Sequence, residues 1–101
     1  MHQEVKSAAE FEAAVAGGDV LVDFWATWCG PCQMMGQVIE GEIEPAMPGL
    51  KVVKVNVDEA PELAVKFGVM SIPALFCYRG GRQVASFVGV TSAAEILGAY
   101  K

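Results

Sequence analysis

Val20-Leu21-Val22-Asp23-Phe24-Trp25-Ala26-Thr27-Trp28-Cys29-Gly30-Pro31-Cys32 is the stretch that decides how this chain folds. Val20 to Trp25 is apolar on both faces apart from Asp23, the pattern of a central strand covered on both sides. Pro31 opens a helix-like stretch, because proline is favoured at the first helical position, where its missing N–H would be unpaired anyway. Cys29 therefore falls just before a helix N-terminus and Cys32 within its first turn. Unpaired N–H groups and the positive end of the helix dipole gather there and favour a thiolate over a thiol. The thiolate is the form of cysteine that attacks disulfides.

Outward from this stretch, helices and strands alternate. Ser7-Ala8-Ala9-Glu10 has the capping-box form, and Phe11, Ala14 and Val15 recur at helical spacing, predicting a helix over 8–16 that stops at Gly17-Gly18. A short strand over 2–5 precedes it. After Cys32, the apolar face of Met34, Met35, Val38 and Ile39 carries the second helix, which Pro45 and Pro48 discourage beyond about Glu44. Lys51 to Val57 is a strand rich in β-branched residues. Asp58-Glu59-Ala60-Pro61 opens a short helix that ends at Gly68. Ala74 to Tyr78 and Gln83 to Val88 are hairpin strands joined by Arg79-Gly80-Gly81-Arg82. Ser92-Ala93-Ala94-Glu95 caps a last helix bearing Ile96, Leu97 and Tyr100. Alternation followed by a hairpin predicts an α/β fold, a central mixed β-sheet flanked by helices on both faces, in the order βαβαβαββα.

At 101 residues the chain has the size of one domain, 1–101. A net charge of −5 with only seven scattered Lys and Arg argues against nucleic acid as a partner. No apolar run approaches the roughly 20 residues of a membrane span. The N-terminus lacks the basic start and apolar core of a signal peptide, so a cytoplasmic location is the default reading. Three cysteines are too few and odd in number for a secreted disulfide framework. A Cys29–Cys32 bridge would close a tiny loop and stabilise by only about 2 kcal/mol on chain-entropy grounds. The pair could be half of a zinc site or two buried thiols, but four ligands are usual for structural zinc, and only Cys77 and His2 remain to supply them. Chemistry explains the pair better than structure does. Cys77, in an apolar strand, reads as core filler ahead of a regulatory thiol. The methionines at 34, 35, 47 and 70 read as packing or docking surface. Asp23 has two readings: a buried carboxyl with raised pKa that handles a proton beside Lys54, or a strand-end carboxylate paired with that lysine.

Asp23-Phe24-Trp25-Ala26 followed by Trp28-Cys29-Gly30-Pro31-Cys32 resembles the thioredoxin family. So do Lys54-Val55-Asn56-Val57-Asp58, Ser71-Ile72-Pro73, Gly80-Gly81 and Val88-Gly89, all in the expected order. The resemblance implies the thioredoxin fold, with Pro73 cis and facing the cysteines. It implies a monomeric thiol–disulfide oxidoreductase that reduces protein disulfides and needs no cofactor or metal beyond its own cysteines. A partner reductase, typically a flavoprotein thioredoxin reductase, would return it to the dithiol. Cys29 would attack the target, and Cys32, more buried, would resolve the mixed disulfide. Asp23 with Lys54 would take and return the Cys32 proton. Trp28, Gly30, Pro31, Ile72, Pro73 and Gly89 would meet the substrate, with Ile72's backbone pairing to it; Gly89 could equally just end a strand. Trp25 would pack beneath the site. Gly36 with Gln37, Ala74, and Pro45 with Pro48 in the latter part of the helix depart from the family pattern and bear on helix shape, potential and partner choice. An oxidising or isomerising relative and a non-catalytic binding module are the rival readings.

Overall fold

A computed structural model of the chain describes residues 2–101. Five strands form one mixed sheet: β1 (His2–Glu4), β2 (Asp19–Trp25), β3 (Lys51–Asn56), β4 (Ala74–Arg79) and β5 (Arg82–Val88), in spatial order β1-β3-β2-β4-β5. β3 runs parallel to both β1 and β2, while β4 is antiparallel to β2 and β5. The helices are α1 (Ala8–Val15), α2 (Gly30–Val38), α3 (Glu44–Ala46), α4 (Pro61–Lys66) and α5 (Ala93–Gly98). The expected α/β order is the observed one.

Strand parity divides the core. Val20, Val22 and Phe24 point to one face of β2, where Phe11 and Val15 of α1, Leu63 of α4 and the adjoining Phe67 cover them. Phe11 and Phe67 meet there with ring centroids 4.6 Å apart. Leu21 points to the other face, under Met35 of α2 and Ile39 and Ile43 beyond it, and under Ile96 of α5 and Tyr100. Tyr100 donates its hydroxyl to the Val20 carbonyl at 2.6 Å. Cys77 is fully buried on this second face, and burial pushes its thiol pKa up, as suits a core residue.

The second helix departs from expectation. It continues through a π-helical turn at Ile39–Ile43 into α3, which contains Pro45, and ends at Ala46 instead of near Glu44. Proline lacks an N–H, and its ring clashes with the carbonyl four residues back, here that of Gly41. The wider π turn, in which the Glu44 N–H reaches the Ile39 carbonyl, gives the ring room. The stop is set by Pro48, which bars its predecessor from the α region; Met47 leaves the helix at φ −140° and ψ 74°. The helix also begins one residue earlier than expected, at Gly30, with Pro31 second.

The hairpin turn needs its two glycines. Gly80 and Gly81 have φ of 58° and 85°, the paired left-handed geometry of a type I′ turn. A Cβ at Gly81 would also stand 3.0 Å from the Ala16 carbonyl oxygen.

α5 closes the sheet's second face through a full capping box. Ser92 accepts the Glu95 N–H at 3.2 Å, and Glu95 accepts the Ser92 N–H at 3.4 Å. Ser92→Ala should lower stability by about 1 kcal/mol. In a chain of this size that is a fall of roughly 5 °C in Tm, measurable by thermal melting followed by circular dichroism.

Candidate active site

β2 delivers the chain to the C-terminal edge of the sheet, and α2 starts there. Cys29 is the N-cap of α2 and Cys32 lies in its first turn, with Cα atoms 5.2 Å apart and the two sulfurs joined in a disulfide. The Cys32 backbone N–H donates to the Cys29 sulfur at 3.1 Å. The cap position thus aims a helix N–H at the sulfur, a donor placed to stabilise negative charge there once the bridge is reduced.

The two cysteines do not differ in burial as expected. Cys29 is 5% and Cys32 4% exposed, because Ala26, Trp25, Val57 and Ile72 pack around the bonded pair. Position separates them instead. The Cys29 sulfur lies 3.9 Å from the Ile72 carbonyl, at the rim. Cys32 is inside the helix. The Ile72–Pro73 bond is cis. Gly89 donates its N–H to the Pro73 carbonyl at 2.8 Å and holds φ +87° with open space where a Cβ would stand. Glycine is needed there for backbone conformation, not for room.

Trp28 is 69% exposed, and its indole N–H donates to the Asp58 carboxylate at 2.7 Å. Its ring walls a groove of about 180 Å³ completed by Val57, Ala64, Val69, Met70, Ser71 and Ile72. Met70 is 96% exposed and Met34 is also exposed, so these two methionines present surface, while Met35 is buried. The sequence points to Trp28 and Ile72, and its Met70 reads as packing or docking surface; Val57, Asp58 and Ser71 stand only within the motifs of the resemblance, and Ala64 and Val69 are not singled out for the site. The nearness of Asp58 to Trp28 follows from β3 ending beside β2, where the Val57 N–H reaches the Trp25 carbonyl at 2.9 Å.

Asp23 lies between Leu21 and Trp25 on the face of β2 that α2 covers. Leu21 packs with Met35 and Ile39, and Trp25 packs with the cysteines, so Asp23 sits beneath the first turns of α2. It is fully buried, and neither carboxylate oxygen has a hydrogen-bond partner. Burial pushes its pKa up to about 7, against a pull from Lys54. Lys54 faces Asp23 across the β2–β3 ladder. It does not form the paired, solvated carboxylate of the plainer reading; its ammonium lies 4.9 Å from the centroid of the Trp25 ring, a cation–π contact.

Among the described residues, no group of three or more His, Cys, Asp or Glu stands together as a metal site, and no helix is long and apolar enough to cross a membrane.

Known proteins agree with this geometry. The thioredoxin family model matches residues 2–101. The thioredoxin of Alicyclobacillus acidocaldarius is 50% identical over 82 residues, 80% of this chain and 78% of that one. The thioredoxin of Listeria monocytogenes is 47% identical over 88 residues, covering 87% and 85%. The oxidised form of mitochondrial thioredoxin 3 from Saccharomyces cerevisiae superposes with a TM-score of 0.86 at 28% identity, over 97% of this chain and 92% of that one. The Malassezia sympodialis thioredoxin superposes at 0.82 with 32% identity, over 98% and 90%. A cysteine pair capping a helix at a sheet edge, in a chain matched over nearly its whole length, leaves one conclusion: the protein belongs to the thioredoxin family and is a thiol–disulfide oxidoreductase that works through Cys29 and Cys32.

Proposed function

We propose that the chain acts as a single, monomeric, cytoplasmic domain that carries electrons from a flavoprotein thioredoxin reductase to disulfides in other proteins. The observation that carries this reading is the Cys29 sulfur, held at a helix N-cap by the Cys32 N–H, beside the Ile72 carbonyl and an apolar groove walled by Trp28. In the reduced protein the Cys29 thiolate attacks one sulfur of the target disulfide. A Cys29–target bond forms, and the target's other sulfur leaves as a thiolate and takes a proton. Cys32 gives its proton to the Asp23 carboxylate and attacks the Cys29 sulfur. The Cys29–target bond breaks, the second target sulfur leaves with the electron pair, and the Cys29–Cys32 disulfide remains. Two electrons have moved from the dithiol to the target.

Ile72, Pro73 and Gly89 form the edge along which an extended substrate would lie, with the Ile72 backbone as its hydrogen-bonding partner. Gly30 and Pro31 keep the link between the sulfurs short and pre-shaped. The pH at which Asp23 changes state, near 7, suits a group that takes and returns a proton under neutral conditions.

The test is the reduction potential of the pair, by equilibration in defined dithiol buffers. A value near the approximately −270 mV known for thioredoxin fits a reductant. A value above about −200 mV overturns it in favour of an oxidising or isomerising role.

A further inference from the structure

Asp23 is one end of a row of three charged residues that crosses the sheet. The ladder registers set Glu4 of β1 opposite Lys54 of β3, and Lys54 opposite Asp23 of β2, all on the face that α2 covers. In the ladder, one lysine position thus stands between two carboxylic-acid positions. The next strand outward contributes no charge, since Leu75 of β4 stands opposite Asp23. Other charged side chains also act on the row: His2 pulls Asp23 down, and Glu59 and Lys6 push Glu4 up and down respectively. Lys6 pairs with Glu59 at 3.7 Å, His2 is hydrogen-bonded to Glu44, and Cys29 and Cys32 are the redox pair above Asp23. The Lys54 ammonium is in turn held against the Trp25 ring. It therefore meets Asp23's unbonded carboxyl only through space.

We propose that Glu4 is a positioning residue for the proton step: by sharing Lys54 with Asp23, it limits the stabilisation that the ammonium can give to the Asp23 carboxylate and so keeps that buried carboxyl able to hold a proton. This rests on the reading of Asp23 as the group that exchanges the Cys32 proton. The direction of each effect is consistent with it. Asp23 is raised first by burial, lowered by Lys54, raised by Glu4 and lowered by His2; Glu4 is itself raised, first by its own partial burial and also by Glu59, against the pull of Lys54, Lys6 and the Trp25 side chain. Glu4 lies at the exposed edge strand, so its influence must be sensitive to salt, whereas burial of Asp23 is not.

The experiment is a carbon-13 NMR titration of the Asp23 carboxyl in the oxidised protein, where no thiol titrates, for the natural chain, Glu4→Gln and Glu4→Asp. In Glu4→Gln the Asp23 titration should move to lower pH by roughly half a unit at low ionic strength, and this difference should shrink in 1 M salt. Glu4→Asp should restore most of the natural behaviour. The pH profile of disulfide reduction should shift in parallel. An Asp23 titration near 7 that is the same in Glu4→Gln overturns the role of Glu4 alone. An Asp23 that titrates near 4 in the natural chain overturns both Glu4's role and the reading of Asp23.

Discussion

Cys32→Ser should stop turnover while leaving target proteins covalently attached to Cys29. The first attack needs only the Cys29 thiolate and the N–H of residue 32, a backbone group that survives the substitution. The second attack needs a sulfur at position 32. A serine hydroxyl stays protonated at neutral pH and does not displace a thiolate. The mixed disulfide therefore accumulates, and it is released only by added small thiols. Multiple-turnover reduction of a disulfide substrate should fall on the order of 10³-fold or more, as when a nucleophile is removed from other enzymes. The complementary Cys29→Ser should lose turnover equally but form no adduct, because Cys32 lies within the helix, whereas it is Cys29 whose sulfur approaches Ile72 of the groove. Intact-mass spectrometry after mixing with a disulfide-bonded protein, with and without dithiothreitol, reads both outcomes. Unchanged biological activity in Cys29→Ser would mean that the chain serves as a binding module.

Position along the chain explains why some of this site is legible in the sequence and some is not. Cys29, Cys32, Asp23 and Trp28 belong to one continuous strand-to-helix segment, so their placement follows from where β2 ends and α2 begins. The alternation of apolar residues likewise reveals which side of β2 each helix covers. Lateral neighbours are different. Whether Glu4 or some other residue of β1 stands beside Lys54 depends on a pairing register that nothing local specifies. The same holds for the groove, which Trp28 shares with Ala64, Val69 and Met70 from beyond β3. The π turn at Ile39–Ile43 was hidden for another reason. Pro45 alone reads as a helix stop, whereas the burial of Ile39 and Ile43 in one core cluster with Leu21, Val52 and Leu75 favours the helix continuing past it.

Asp23→Ala should make the protein more stable and a poorer catalyst. Asp23 is buried without a hydrogen bond, so ionising it in the folded state is unfavourable. Its pKa is about 7 when folded, raised chiefly by burial, against an ordinary 3.8. Below 3.8 the carboxyl is protonated whether the chain is folded or not, and stability is unaffected. Between 3.8 and 7 unfolding releases a proton, so stability falls as pH rises, and the loss is complete above about 7. The span corresponds to something on the order of 4 kcal/mol. Alanine removes this penalty at the cost of a small cavity. At pH 8 the variant should melt roughly 10 °C or more above the natural chain, and at pH 3 it should have no advantage. Over the same range the natural chain should lose stability with rising pH and the variant should lose less. Turnover should move the other way: on the proposed role of Asp23 as acceptor of the Cys32 proton, the resolving step is the one that slows. Thermal melts at pH 3 and pH 8, paired with single-turnover release of the mixed disulfide, measure the two effects separately. Equal melting temperatures at pH 8 would place Asp23 in water in solution. Higher stability with an undiminished release rate would remove Asp23 from the proton path and leave Cys32 to lose its proton directly to solvent.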